Sequence, residues 1–150
     1  MRLPMRLYLF YARHRRAMTL GVRAAAFDES GRVFLIRHSY VPGWYMPGGG
    51  VEPGETAEEA LRRELMEEGG IEVDSAPDLF GIYLNRAVSA RDHVVFFVCR
   101  GCRQVRQPRI PNLEILEAGF FPPDALPAGA TEGTRRRLAE IGGAPRSAEW

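Results

Sequence analysis

A chain of 150 residues is long enough for one domain with one sizeable core, and 45% hydrophobic with 26% charged content is ordinary for a globular protein. Twenty basic against nineteen acidic residues leave a formal charge of +1, which excludes an overall field directed at nucleic acid or acidic membranes. Every basic residue is arginine, so Schiff-base and lysine-nucleophile chemistry are excluded too.

Residues 1–17, MRLPMRLYLFYARHRRA, form an N-terminal extension, with a short amphipathic helix predicted from Met5 to Ala12. Arg6 breaks its apolar run and a basic cluster ends it, so a secretory leader is not expected. A lid or an oligomer contact suits this composition better than membrane contact, and a homodimer is compatible with it. No segment has the ~18 apolar residues of a membrane span. A cytoplasmic protein without membrane or nucleic-acid partners is the expectation.

MTLGVRAAAFD (18–28) reads as a strand, ESGR as a turn and VFLIRH (33–38) as a second strand, together a hairpin. SYVPGWYMPGGG (39–50) is loop material. Thr56 opens a helix with Glu59 three residues on, the spacing of a capping box, and Gly69 and Gly70 end it. Two strands follow, at 79–88 and 92–100, joined by SAR. The second runs into CRGC. Cys99 and Cys102 have the spacing of a redox pair or half a zinc site, but no second cysteine or histidine pair supplies the other zinc ligands. They read as a strand-end and a turn residue in a reducing compartment. After the loop QVRQPRIPN, LEILEAGFF (113–121) is the last strand, and a helix from Thr131 to Ile141 stops at two glycines. Residues 18–141 make one domain and 142–150 a C-terminal tail. The pattern predicts an α/β protein, a mixed or antiparallel sheet with helices on its two sides.

The helix after Thr56 breaks the usual amphipathic rule. Placed on a wheel at ~100° per residue, Ala57, Ala60, Leu61 and Leu65 share one face. Glu64 and Glu68 fall within that arc and Glu67 at its edge, while Glu59, Arg62 and Met66 point outward. Inward carboxylates at i, i+3 and i+4 repel one another and are costly to bury unpaired. An acid-rich solvated helix with arginine partners is the plain alternative. The wheel argues instead for a divalent cation, and hard oxygen ligands without histidine or thiolate favour Mg²⁺, or Mn²⁺, over zinc. The preceding PGGGVEPGE lets backbone approach a metal or phosphate closely.

Taken together, GGGVEPGETAEEALRRELMEEGGI (48–71) resembles the Nudix box: Gly, five residues, Glu, seven residues, then Arg-Glu-apolar-any-Glu-Glu-any-Gly-apolar. Gly49, Glu55, Arg63, Glu64, Leu65, Glu67, Glu68, Gly70 and Ile71 occupy every fixed position, and softer resemblance runs from Met18 to Leu138. The resemblance implies the Nudix fold, an α/β/α sandwich with a mixed sheet. It implies metal-dependent hydrolysis of a nucleoside diphosphate linked to another group, a small-molecule nucleotide substrate. Glu64, Glu67 and Glu68, with the Gly49 carbonyl, would hold one to three divalent ions. Arg63 would pair with Glu55 or Glu64, and Glu64 would act as general base. A catalytically silent nucleotide-binding sensor is the alternative, and an RNA-end enzyme a third reading that no basic–aromatic patch supports.

Beyond the box, Nudix enzymes often add a carboxylate to the metal cluster. Glu114, beside the QPRIPN loop, is the expected one, ahead of Asp92 and Glu117. Arg23, Phe34, Tyr45 and Asp92 are the expected lining of a base or phosphate pocket, with core packing or a turn as the alternative for each. The substrate itself stays open. The proline that marks ADP-ribose pyrophosphatases would fall near Arg86 and Ala87, and the upstream signature of coenzyme A pyrophosphatases is absent.

Overall fold

A computed structural model describes residues 3–150; Met1 and Arg2, the start of the expected extension, lie outside the described residues. Helix α1 spans Leu3–Arg15, α2 Ala57–Gly69 and α3 Glu132–Ile141. The strands are β1 (Thr19–Ala26), β2 (Val33–His38), β3 (Trp44–Tyr45), β4 (Gly48–Gly50), β5 (Ile71–Val73), β6 (Asp78–Leu84), β7 (Asp92–Cys99), β8 (Cys102–Gln104) and β9 (Ile115–Phe121). They form sheets ordered β4-β1-β7-β6, β3-β2-β9 and β5-β8. Among the described strands only β1 and β7 pair in parallel, from Thr19↔Asp92 to Ala26↔Cys99, so the sheet is mixed.

The expected hairpin of β1 and β2 does not form. Among the described residues one isolated bridge, Phe27↔Val33, is the backbone pairing between the two segments, and each strand enters a different sheet. The reason lies in their composition. Ala24, Ala25 and Ala26 on β1 and Val33 to Ile36 on β2 are all inaccessible. Strands apolar on both faces belong in the middle of a covered sheet rather than in a two-stranded ribbon with one wet side.

Alternation along these strands makes two cores. Val22, Ala24, Ala26, Phe34 and Ile36 meet Ala60, Leu61 and Leu65 of α2 on one side. Ala25, Val33, Leu35, Met46, Tyr83 and Phe96 meet Leu138 and Ile141 of α3 on the other. Helix, sheet and helix are thus layered as an α/β/α sandwich. Cys99 and Cys102 are buried and free, filling the α2-side core. The short strands β3, β4, β5 and β8 occupy segments whose glycines or two- and three-residue lengths give no period to detect.

Residues 142–150 fold back onto the sheet. The Leu84 amide donates to the Ala148 carbonyl at 3.0 Å, and the Trp150 amide to the Leu84 carbonyl at 3.0 Å. Trp150 packs edge-on against Tyr83 and Phe96. Beneath it lies Arg137, fully buried in α3, 4.0 Å over the Tyr83 ring and bonded to Glu140 at 2.8 Å and to the Glu149 carbonyl at 3.1 Å. Glu140 also accepts from the Tyr83 hydroxyl at 2.9 Å and the Ser147 amide at 2.8 Å.

Candidate active site

The glycine-rich segment and α2 meet through their backbones. β4 pairs antiparallel with β1, Val22↔Gly49 and Arg23↔Gly48, and six residues separate the end of β4 from the start of α2. Thr56 caps α2 as expected: its hydroxyl accepts from the Glu59 amide at 3.2 Å and Glu59 accepts from the Thr56 amide at 2.8 Å. Gly70 ends the helix at φ +61°, a left-handed conformation in which a Cβ is strained and would also strike the Arg106 backbone.

Arg63 ties the loop to the helix. It donates to both Glu55 oxygens at 2.9 and 3.1 Å, to Glu64 at 2.6 Å and to the Gly50 carbonyl at 3.1 Å. The two expected partners are therefore both engaged. Glu67 stands 3.5 Å away and is exposed. A Cβ at Gly49 would collide with the Glu64 carboxylate, so only glycine lets that carboxylate lie against the loop.

Glu68 is the anomalous group. Its side chain is nearly inaccessible, and its carboxylate accepts from the Gly48 amide at 2.8 Å. Burial pushes its pKa up to about 8, the Gly48 amide and Arg23 oppose the rise, and Glu64 and Glu114 add to it. Glu114 thus belongs to the same electrostatic neighbourhood, fixed by Asn112, which accepts from the Glu114 and Ile115 amides at 2.8 and 2.7 Å. Glu117 instead pairs with Arg37 at 2.8 Å on the other strand face.

In the folded protein Glu68 holds a proton that the unfolded chain, with an ordinary carboxyl near 4.5, has already released over the interval from 4.5 to about 8. That contribution to stability is complete below the lower value and is lost as pH rises through the upper one. In EDTA, wild-type protein should lose on the order of a few kcal/mol across this window. Urea midpoints measured at several pH values check it: Glu68→Gln should flatten the profile, and a wild-type profile already flat would contradict the buried carboxyl.

The expected pocket residues divide. Arg23 is half-buried, donates to the Met46 carbonyl at 2.6 Å and sits 5.7 Å over the Tyr45 ring. Tyr45 donates to the Pro42 carbonyl at 2.9 Å. A cavity of about 260 Å³ beside Gly49 is lined by Arg23, Thr19, Gly21, Asn85 and Asp92. Asp92 has both oxygens occupied, by the Thr19 hydroxyl at 2.6 Å and the Asn85 amide at 2.9 Å, so it shapes that wall as a strand-start residue. Phe34 requires correction. It is inaccessible, packed on Phe120 at 5.2 Å and against Gly69, and is a core residue without access to a ligand.

The sequence reading missed His38 and Tyr40. His38 ends β2, is buried, and stacks on Tyr40 at 4.9 Å with its Nδ1 unpartnered. Burial, then Arg23, hold its pKa below the ordinary histidine value while Glu114 opposes. The signal was available: Phe34, Ile36 and His38 alternate onto one face, which puts a polar ring at an inward position beside the glycine-rich loop.

A buried, proton-hungry carboxylate and a second one laid against a glycine, with the charge of Glu114 adding to the field at Glu68, form an oxygen-rich site of the kind a hard divalent cation fits. As they stand, Glu64 and Glu67 lean on Arg63 and Glu68 on the Gly48 amide, so among the described residues no three ligands converge on one point.

A sequence model of the NUDIX domain matches residues 17–141. A Bacillus subtilis (strain 168) protein, whose name provisionally assigns it 8-oxo-dGTP diphosphatase activity, is 36% identical over 82% of this chain and 79% of its own length. The Mus musculus 8-oxo-dGDP phosphatase NUDT18 is 29% identical over 89% of this chain, which spans only 42% of that longer protein. The crystal structure of a MutT NUDIX hydrolase from Burkholderia pseudomallei superposes with a TM-score of 0.68 at 27% identity, covering 82% of this chain and 97% of that one. The chain belongs to the Nudix hydrolase family. It is a pyrophosphohydrolase, acting on nucleotide diphosphate linkages.

Proposed function

We propose that this enzyme hydrolyses the phosphoanhydride of a nucleoside diphosphate derivative with Mg²⁺, or Mn²⁺, held by Glu64, Glu67, Glu68 and the Gly49 carbonyl, and with Glu114 completing the set. The observation that carries the reading is the buried Glu68 carboxylate, whose charge nothing fully offsets. A bound divalent ion supplies neutralisation of the diphosphate oxygens and a more acidic water. The chain does the rest. Glu64, held by Arg63 through one oxygen, turns its other oxygen toward the metal and the attacking water, whose proton it would take. Arg63 and Glu55 hold loop and helix at fixed separation. Arg23 offers a cation to a phosphate, and the cavity beside Gly49 has room for a base.

The substrate class is tested by a screen with Mg²⁺ over oxidised nucleoside tri- and diphosphates, ADP-ribose, dinucleoside polyphosphates and nucleotide sugars. Oxidised deoxyguanosine nucleotides come first in the screen, because two relatives are named for them. Turnover of one class, abolished by EDTA and restored by Mg²⁺ or Mn²⁺, is expected; turnover unaffected by EDTA would overturn the metal role.

Glu114→Gln probes the carboxylate beyond the box. It should raise the Mg²⁺ concentration needed for half-maximal turnover by about 10- to 100-fold, with little change in melting temperature. An unchanged Mg²⁺ titration would remove Glu114 from the metal's surroundings.

A further inference from the structure

Among the described residues, six of the fourteen exposed large hydrophobic side chains sit on α1: Met5, Leu7, Tyr8, Leu9, Phe10 and Tyr11, between 46% and 70% accessible. The other eight are spread over the body, whereas these six are consecutive but for Arg6 and make one continuous apolar surface. The helix is not amphipathic in the way its sequence suggested. On a wheel at ~100° per residue, Leu7, Phe10 and Tyr11 face one side, Met5 and Leu9 lie roughly opposite, and Tyr8 stands between. The polar strip is narrow, formed by Arg6 and Arg13.

Charge is divided just as unevenly. Residues 1–17 carry five of the twenty arginines and no acid. Fifteen arginines against nineteen acids remain in residues 18–150, so the near-neutral chain is a +5 segment joined to a −4 body. The expectation of no membrane partner came from the overall +1, which conceals this division. A second copy of the body, though opposite in charge, presents a surface that covers one stripe of a helix. The interfacial zone of an anionic bilayer favours aromatic side chains such as Tyr8 and Tyr11 and offers lipid phosphates to the arginines around them.

We propose that α1 docks the enzyme on an anionic lipid surface, its apolar and aromatic side chains in the interfacial zone and Arg6, Arg13, Arg15 and Arg16 against lipid phosphates. Thirteen residues cannot cross a bilayer, and no described helix is long and apolar enough to do so, so α1 lies along the surface. The attachment is close to the chemistry. Ala17, just after the helix, gives its carbonyl to Arg91 at 3.2 Å, and Thr19 then lines the cavity beside Gly49. Docking of this kind holds whichever phosphoanhydride the site cleaves.

Co-sedimentation of the full chain with vesicles of phosphatidylcholine alone, and of phosphatidylcholine with an equal part of phosphatidylglycerol, tests it. The protein should pellet with the anionic vesicles only, and less so as salt is raised. Arg13→Gln with Arg15→Gln should weaken that partition about 25-fold. Leu7→Glu with Phe10→Glu should abolish it, and both double variants should keep wild-type hydrolysis in solution. Protein that stays in the supernatant with both vesicles overturns the proposal, as does vesicle binding that the α1 variants do not alter. A dimer in sedimentation equilibrium that Leu7→Glu with Phe10→Glu splits, without vesicle binding, would assign the face to a second copy.

Discussion

Glu68→Gln is expected to lower turnover roughly 100- to 10,000-fold while the protein stays folded, because the lost interaction is one with charge that develops in the transition state. Glutamine is the same size, and its carbonyl oxygen can still accept from the Gly48 amide that now binds Glu68 at 2.8 Å. What it cannot provide is a negative charge for a cation. The same substitution removes a group whose ionised form burial already disfavours, so the variant in EDTA should be at least as stable as wild type near pH 8. Lower activity together with unimpaired stability separates a ligand from a packing residue. Wild-type turnover in a correctly folded Glu68→Gln protein would refute the role.

The second large effect is structural. Arg137→Ala should cost about 3–5 kcal/mol, the usual penalty for breaking a buried ion pair. At the size of this domain that is a fall of roughly 10 °C in melting temperature. Three consequences combine: Glu140 loses its cation while still buried, the Glu149 carbonyl loses a donor, and the rings of Tyr83 and Trp150 lose the guanidinium between them. Removing both charges, as Arg137→Met with Glu140→Gln, should recover much of the loss, since a well-packed neutral pair replaces a buried ionic one at little expense. Thermal unfolding of the three proteins decides it. A single variant that melts within a degree or two of wild type would mean that the tail is held by tryptophan packing alone.

How much of this was legible beforehand depends on what each element uses to declare itself. α2 announces its start through Thr56 and Glu59, its end through Gly70 and its buried face through Ala60, Leu61 and Leu65, all local signals. The inward glutamates were visible for the same reason, since a helix fixes the direction of each side chain from its own sequence. Long-range partners are not encoded that way. Val33 to Ile36 read as a strand, yet nothing in VFLIRH says that it pairs with β9 and β3 rather than with β1. Phe34 read as pocket lining or core alike, and only the position of Phe120 on the neighbouring strand assigns it to the core. The return of Trp150 to Tyr83 joins residues 67 positions apart, beyond the reach of any periodicity.

The parallel register of β1 and β7 bears on how the molecule comes into being. Each residue of β1 finds its neighbour 73 positions later, as in Thr19↔Asp92 and Ala26↔Cys99. With translation at about 5–20 residues per second, β1 emerges from the ribosome several seconds before its partner. During that interval Ala25 and Ala26 have no strand to pair with, since β4 reaches only Gly21 to Arg23, while α2, self-sufficient in its caps, can already form. High contact order of this type makes for slow, late-committing folding and a nascent chain with an exposed strand. Chaperone demand during synthesis is therefore inscribed in the topology, independently of how stable the finished domain is.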